Sequence, residues 1–242
     1  YFVSSVRGEV SGNVKTQGIW SDQIKKINIE QLNVAGMINN KPLRGRGNLA
    51  VILNSDQNGF VPTQFEANNL LLAYANNQLQ ATGNAQNLRL NINAPALYEL
   101  YPGLRGTAHG YLNIKAKPSL SATANLAIDN FGYQNSLSIK KLSLKGELPT
   151  SMTTPAKMVA QMDTLRSGGR EIQYAALTLS GTRKAHLIQL QGWNYYSKFY
   201  VQMAGGFNAQ NDWLGQVQKG EFDSVRVHLI QDQNAPIIYT TA

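Results

Sequence analysis

Apolar and polar residues alternate along most of this chain. In the clearest stretch, every second residue from Leu120 to Leu126 is apolar, and the residues between them are Ser, Thr and Asn. In an extended strand this alternation places the apolar side chains on one face and the polar ones on the other. Similar alternation recurs in Leu88–Ile92, Phe199–Met203 and Val225–Leu229. The sequence therefore predicts an all-β chain whose strands are half buried.

Alternation bounded by turn residues predicts about fourteen strands. Gly45, Gly47, Gly106 and Gly110 fall inside these strands and predict bends or bulges. The predicted strands lie near residues 27–38, 43–53, 63–74, 78–84, 87–93, 106–116, 119–129, 136–147, 156–165, 171–181, 185–193, 197–208, 212–219 and 222–230.

One segment interrupts the alternation, near residues 95–102. Pro95 suits the first position of a helix, and Pro102-Gly103 would end it. We predict a short helical segment here, with Leu97, Leu100 and Tyr101 docked on the sheet.

The number of strands limits the shape. At a spacing of about 4.8 Å, fourteen strands make a sheet about 65 Å long, and open sheets of more than about ten strands usually curl. Small apolar residues such as Ala108, Ala124 and Ala160 do not fill a thick core. We expect residues 1–242 to form a single elongated, curled β-sheet with an apolar concave groove, as a fragment of a larger protein.

The apolar positions of the alternating stretches are the candidate lining of this groove. They are Leu90, Ile92, Leu112, Ile114, Leu120, Leu126, Ile128, Ile139, Leu142, Leu144, Met158, Met162, Leu177, Leu179, Ile188, Leu190, Phe199, Val201, Met203, Val227 and Leu229.

The charge of the chain adds little to this interpretation. Lys and Arg number 22 against 14 Asp and Glu, giving a net charge of +8. The basic residues are scattered and are not interleaved with aromatics, which argues against nucleic acid as a partner and leaves solubility as the simpler explanation. The chain has no cysteine, so it forms no disulfide.

Recognisable catalytic and metal-binding motifs are absent from the sequence. The histidines His109, His186 and His228 lack ligand spacing and predict structural or surface roles. No nucleophile elbow, phosphate-binding loop or paired carboxylate motif is present. We therefore expect no enzyme activity, cofactor or metal. The carboxylates expected to be isolated and solvated are Glu147, Asp163, Asp212 and Asp223.

An aromatic cluster in the second half of the chain has two interpretations. Packing on the sheet is the simpler one, and a stacking platform for a ligand is the alternative. Its members are Trp193, Tyr195, Tyr196, Phe199 and Tyr200.

A series of short motifs between about residues 79 and 230 resembles the central periplasmic region of the TamB family. The motifs are degenerate, and their order and spacing carry the resemblance. One departure is Lys115-Ala116, where a Gly-Thr pair is more typical. The motifs are Ala96–Gly106, Gly110-Tyr111-Leu112, Pro118-Ser119-Leu120, Ile139–Leu144, Leu177–Thr182, His186–Leu190 and Trp213-Leu214-Gly215.

The resemblance implies a fold and a location. TamB proteins are similar to the AsmA-like, bridge-type lipid-transfer proteins, which form a β-taco, an open β-tube with an apolar interior. It implies a place in the periplasm of a Gram-negative bacterium, with an inner-membrane anchor outside this chain and an Omp85-type (TamA-like) outer-membrane barrel as partner. The implied function is phospholipid transfer toward the outer membrane, with a contribution to outer-membrane protein assembly.

Three interpretations of the apolar face remain open. A lipid-transfer groove would hold acyl chains, because burial stabilises each CH₂ by about 0.8 kcal/mol. A chaperone or scaffold for outer-membrane proteins such as autotransporters would instead accept their strands by β-augmentation. In a β-sandwich adhesin or spacer, the apolar faces would close on each other.

Overall fold

The chain divides into two compact units, Tyr1–Leu120 and Ser121–Ala242, called unit 1 and unit 2 below. The structure is a computed structural model that describes residues 7–56, 59–115, 121–149, 153–208, 210, 212–231 and 233–239. Each unit consists of antiparallel strands paired in chain order, which confirms the all-β prediction.

The described residues of unit 1 form seven strands and one turn of 3-10 helix. Each strand pairs with the next, and β1 pairs with β2 alone, so the described part of this unit does not close into a barrel. The elements are β1 (Gly8–Trp20), β2 (Ile24–Ile38), β3 (Lys41–Asp56), β4 (Gly59–Tyr74), β5 (Asn77–Asn84), β6 (Asn87–Ala94), the 3-10 helix (Leu97–Glu99) and β7 (Leu104–Lys115).

Unit 2 continues the same arrangement with nine strands. Its last two strands, β15 and β16, both pair with β14. The elements are β8 (Ser121–Tyr133), β9 (Leu137–Pro149), β10 (Ala156–Ser167), β11 (Arg170–Gly181), β12 (His186–Trp193), β13 (Ser197–Phe207), β14 (Trp213–Ser224), β15 (His228–Ile230) and β16 (Ala235–Tyr239).

The strand predicted near 222–230 is wrong. Strand β14 continues to Ser224 and is followed by a turn, after which β15 has only three residues. The Ser224 hydroxyl accepts a hydrogen bond from the Val227 amide at 3.1 Å, and the Ser224 amide donates to the Val227 carbonyl at 2.8 Å. A serine side chain that bonds the backbone favours a turn over an extended chain. Strands β1 and β16 were not predicted.

Local residue types fix the hairpin turns. Asn39 and Asn40, between β2 and β3, have φ values of 49° and 61°, and Gly168 and Gly169, between β10 and β11, have 56° and 77°. Two successive left-handed residues form the type I′ turn that suits the twist of a two-residue hairpin. Asn and Gly tolerate this conformation best.

Two register shifts in unit 1 fall where two polar residues stand next to each other. The pairing of β2 with β3 shifts between Ile29 and Leu32, across Glu30-Gln31. The pairing of β4 with β5 shifts across Asn68-Asn69. Gly47, for which we predicted a bend or bulge, lies at a shift between β3 and β4 and has a φ of +105°. These bulges change the phase of the alternation, so apolar residues three positions apart can share a face.

The alternation in unit 2 also changes phase along one row of the sheet. Asn130 in β8 and Thr164 in β10 adopt left-handed backbone conformations, and the consecutive Lys140 and Lys141 of β9 between them are both exposed. Beyond this row, the period-two alternation therefore no longer predicts which face of the sheet a residue lies on. On its far side, four apolar residues of β8 to β11 pair in sequence: Phe131, Ile139, Leu165 and Ile172.

The only cluster of buried hydrophobic residues in the described chain lies in unit 1. It forms on one face of β4, β5 and β6, where Ala67 is fully buried. Partly buried Leu32 of β2 and Ile114 of β7 pack against it from strands on either side. We call it the unit 1 core, and its members are Phe65, Ala67, Leu70, Ala81 and Leu88.

The predicted helical segment is a single 3-10 turn, Leu97–Glu99, and the docking predicted for it is wrong at two of three residues. Leu97 is half buried, but Leu100 and Tyr101 are exposed. One short turn presents too narrow a face to cover all three side chains.

Polar contacts hold this turn in place. The Asn77 side chain bonds both backbone groups of buried Ala96, at 3.0 and 3.1 Å. The Glu99 side chain, 8% exposed, lies 3.8 Å from Lys41 Nζ and accepts hydrogen bonds from the Asn76 amide at 3.0 Å and the Asn77 side chain at 3.3 Å. Hydrogen bonds therefore position the turn, which an apolar pattern cannot reveal.

Candidate functional site

Directly opposed residues in antiparallel strands share a face, so the register identifies the apolar face of unit 2. Three rows of residues cross this face, the first from β8 to β13 and the other two from β8 to β14. The first contains Leu126, Leu144, Ala160, Leu177, Leu190 and Val201. The second contains Ile128, Leu142, Met162, Ala175, Gly192, Phe199 and Phe222. The third contains Ala124, Gly146, Met158, Leu179, Ile188, Met203 and Val217.

Within the described part of unit 2, no side chain covers its apolar face completely. In the described part of this unit, Ala176 is the one buried hydrophobic residue, and its register with Gln161 and Gln191 places it on the opposite face. The hydrophobic residues of the three rows are half buried, apart from exposed Phe222. The face is therefore apolar and remains accessible.

The groove residues predicted in unit 1 also fall on one face. Leu90 opposes Ala81 and Leu112, and Leu88 of the core opposes Ile114. Ile92 opposes Leu79. Unlike the groove residues of unit 2, Leu90 and Ile114 pack against a buried cluster.

The remaining predicted groove residues stand apart from the rows. Leu120 lies outside the described residues. Val227 is in the turn after β14, so strand alternation no longer applies to it. Leu229 opposes Phe222 but is 60% exposed, and Ile139 lies beyond the phase change described above.

Several residues of the face were not singled out from the sequence. Ala175 and Gly192 are small and add little to an apolar pattern. Phe222 and Val217 lie on either side of Gln218, where the pairing of β13 with β14 shifts register, so simple alternation does not place them on the same face. Consecutive polar residues at 218 and 219 repeat the bulge signal seen in unit 1. That signal could have placed both residues.

An aromatic and histidine cluster lies at one end of the apolar face. The Trp213 indole N–H donates to His186 Nε2 at 2.7 Å. His186 Nδ1 therefore carries the proton in the neutral ring and donates to the Thr182 carbonyl at 3.2 Å. Any Cβ at Gly205 or Gly215 would lie within 2.5 Å of the indole, so both glycines are needed for the ring to lie over the strands. His186 thus has the structural role that we predicted.

The opposite face of unit 2 is polar and internally hydrogen bonded. The Thr178 hydroxyl donates to Gln189 Oε1 at 3.1 Å. Gln189 Nε2 donates to the Tyr200 hydroxyl at 2.8 Å and to Gln202 Oε1 at 3.1 Å. Gln202 continues the network to Gln218 at 3.1 Å. This face suits water, which leaves the apolar face as the one available to a hydrophobic ligand.

Two carboxylates expected to be isolated have partners. Asp223 Oδ2 lies 3.1 Å from Lys198 Nζ, and its Oδ1 lies 3.4 Å from His228 Nδ1. The hydrogen bond from Lys198 is the main reason that the pKa of Asp223 is below its usual range. The Asp212 side chain accepts a hydrogen bond from Asn208 at 3.2 Å. The prediction of isolated carboxylates is wrong at these two positions.

The aromatic cluster is not packed as a whole. Tyr195 and Tyr196 are 70% and 74% exposed in the turn between β12 and β13. Trp193 stacks on Tyr174, with ring centroids 4.2 Å apart, and Phe199 lies against Gly192 on the apolar face. Packing on the sheet is therefore wrong for Tyr195 and Tyr196.

Neither a metal cluster nor a spanning helix is found in the described ranges. No group of three or more His, Asp or Glu side chains there could hold a metal ion. No helix among the described residues has the length and apolar character needed to cross a membrane.

Comparisons with known proteins match these features to one family. The family model described as the TamB N-terminal domain matches residues 1–242. The chain is 25% identical over 233 residues to the translocation and assembly module subunit TamB of Haemophilus influenzae, covering 93% of this chain and 17% of that protein. The chain thus spans about a sixth of the length of this relative. No solved structure matches it. The chain belongs to the TamB family.

Proposed function

We propose that this chain is a segment of a lipid-transfer protein and that phospholipid acyl chains lie on its apolar faces. The observation that carries this proposal is the apolar face of unit 2, whose three rows of aliphatic side chains remain half exposed. An apolar face this wide is unfavourable in water unless a ligand covers it. Family membership supports the proposal, since the relative is named for a translocation and assembly module.

The energetics favour acyl chains as the occupant. Burying a chain of about sixteen carbons stabilises it by about 12 kcal/mol relative to water. The rows consist of Leu, Ile, Val, Met, Ala, Phe and Gly with no charged or polar side chain among them, so a lipid meets an apolar surface at each position. Similar neighbouring positions permit sliding at low cost, which suits transfer better than storage.

The cellular setting is part of the same proposal. The full-length protein would lie in the periplasm, anchored in the inner membrane through a region outside this chain, with an Omp85-type, TamA-like barrel as its outer-membrane partner. The family assignment supports this setting. No catalytic step is proposed, because an apolar face moves lipid by binding alone.

Photo-crosslinking at adjacent residues tests the proposal. Leu144 lies in the first row of the apolar face, and Lys145 beside it is exposed on the polar face. A photoreactive amino acid at Leu144 of the full-length protein should capture phospholipid in cells, identified by mass spectrometry. The same amino acid at Lys145 is the matched control and should capture at least about tenfold less.

A charge placed on the face gives a second test. Val201→Arg puts a cation in the first row, where acyl chains would pass, and should reduce lipid capture at Leu144 and impair the outer-membrane barrier. Because Val201 is half exposed, the guanidinium can reach water and the protein should remain folded. Equal capture at Leu144 and Lys145, or full lipid capture in folded Val201→Arg, would rule the proposal out.

The alternative function, a scaffold for outer-membrane protein assembly, has one supporting observation. Strand β1 is exposed along its whole length and pairs with β2 alone in the described chain. Its free edge therefore presents unpaired backbone groups to which an incoming strand could add. Crosslinks from β1 to an unfolded autotransporter, together with no lipid at Leu144, would favour this alternative.

A further inference from the structure

The polar face of unit 2 has a cavity of about 250 Å³, which we call the Trp193 pocket. Sites for drug-sized ligands measure about 300–1,000 Å³, so this cavity suits a ligand of a single ring. It lies across β12, β13 and β14, next to the turn that holds the two exposed tyrosines. Its principal lining residues are Gln191, Trp193, Lys198, Tyr200, Glu221 and Asp223.

Two aromatic side chains form walls of the Trp193 pocket. Trp193 stacks on Tyr174 on one side and is still 43% exposed, so part of the indole remains available to a ligand. Tyr200 is held in place because its hydroxyl accepts from Gln189 and donates to Gln202, both at 2.8 Å. Rigid aromatic walls stabilise a flat apolar ligand face at little entropic cost.

Polar groups without partners border the same space. Within the described chain, no residue bonds the Gln191 side-chain amide or the Trp193 indole N–H. Glu221 uses Oε1 to bind Lys219 at 2.9 Å, which leaves Oε2 as an acceptor. The pocket therefore offers two kinds of donor and two kinds of acceptor at its walls.

The charges around the pocket are already balanced. Lys198 pairs with Asp223 at 3.1 Å and Lys219 with Glu221 at 2.9 Å. Lys219 Nζ also lies 5.4 Å from the centroid of the Tyr200 ring, where a cationic ligand would otherwise bind. An anion would meet two carboxylates, and a cation would meet two lysines. The pocket thus favours an uncharged ligand that has both a flat apolar face and hydroxyl groups.

We propose that the Trp193 pocket binds one pyranose ring of a neutral oligosaccharide. The C–H face of the sugar would stack on the Trp193 indole, and its hydroxyls would bond Gln191 and the free Glu221 oxygen. Phe199 and Gly192 of the second row also line the cavity, but the side chains that would bind the sugar lie on the polar face, opposite the lipid proposed for the apolar face. It would tether the protein to a glycan while lipid passes on the opposite side of the sheet.

Saturation-transfer NMR on the purified chain tests the proposal. The probes are tetrasaccharides of glucose, N-acetylglucosamine, galactose and mannose, with adenosine as a flat polar ligand that is not a sugar. We expect at least one tetrasaccharide to bind. Trp193→Ala should raise the Kd for that tetrasaccharide about tenfold, and Gln191→Ala should raise it about threefold.

Tyr195→Ala is the matched control, because it removes an exposed aromatic from the adjacent turn that does not line the pocket. It should leave the Kd unchanged, and circular dichroism should show all variants folded. Should Trp193→Ala prove misfolded, Gln191→Ala decides the question. Failure of all four tetrasaccharides to bind, tighter binding of adenosine, or binding unaffected by Gln191→Ala would overturn the proposal.

Discussion

The two units share one construction and differ in what their apolar faces contact. In unit 1 the side chains of β4, β5 and β6 pack into a small core in which Ala67 is fully buried. In unit 2 the equivalent rows contain no buried hydrophobic residue among those the structure describes. The alternation in the sequence looks alike in both.

Side-chain size and bulges account for part of this difference. Phe65 and Leu70 of unit 1 are larger side chains that pack with Ala67 in one buried cluster, and a bulge at Asn68-Asn69 brings Leu70 into that cluster. In unit 2 the first row has Ala160 between Leu144 and Leu177, and no aromatic side chain stands beside it in that row. A face can thus be equally apolar and either pack on itself or remain open.

The largest expected difference between the units comes from burying a charge. Leu70→Asp places an unpaired carboxylate in the unit 1 core and should lower the free energy of unfolding by more than about 3 kcal/mol. Val201→Asp on the apolar face of unit 2 should lower it by about 1 kcal/mol, because water reaches this side chain. Urea unfolding followed by circular dichroism measures both, and equal losses would show that the two faces are alike.

The second largest expected difference in stability comes from removing a polar contact in each unit. Glu99→Gln replaces one of two accepting carboxylate oxygens with an NH₂ group, which then faces a donor of Asn76 or Asn77, and should cost about 1–3 kcal/mol. Asp223→Asn removes an exposed ion pair of unit 2 and should lower the urea midpoint much less than Glu99→Gln does. A larger effect at Asp223 would contradict this ranking.

Replacing a buried and a half-buried alanine with leucine compares how tightly the apolar faces of the two units are packed. Ala67→Leu adds volume where no space remains and should cost about 1–3 kcal/mol through overpacking. Ala160→Leu on the open face should change stability by less than about 0.5 kcal/mol while altering which lipids are captured at Leu144. Thermal unfolding of the two variants checks this, and a destabilised Ala160→Leu would indicate a closed face in unit 2.

The smallest expected effect is a pH dependence that arises from Asp223 of unit 2. Lys198 lowers the pKa of Asp223 in the folded protein. The resulting stabilisation is therefore present above the unfolded pKa, near about 4, and is lost as the pH falls through the lower folded pKa. Asp223→Asn should lose this part of the acid dependence and keep the rest. NMR titration of the Asp223 carboxyl group measures the shift, and an unshifted titration would contradict it.

Much of the fold could be predicted from alternation. The strands around Leu88–Ile92 and Phe199–Met203 follow from it, because a half-buried strand needs apolar residues at every second position. Strand β1 could not be predicted in this way, because Gly12 and Gly18 stand where the alternation would require apolar side chains. The phase changes at Glu30-Gln31 and Lys140-Lys141 left a signal in the sequence, as paired polar residues, that strict counting in twos overlooks.

The candidate site, like the fold, could be predicted only in part from the sequence. Alternation identified the aliphatic residues of the three rows, such as Leu144 and Val201. It could not identify the Trp193 pocket, because Trp193, Gln191 and Glu221 meet only when β12, β13 and β14 pair in the observed register. The contacts of Glu99 with Asn76 and Asn77 were hidden for the same reason.

The sequence by itself determined that this chain forms strands with one apolar and one polar face, because alternation acts residue by residue along a strand. The tertiary structure decided which apolar face packs on itself and which remains open. That outcome depends on bulges, on the sizes of opposed side chains and on the pairing of distant strands. Local propensity does not encode these features, and free energy distinguishes them only once the strands are assembled.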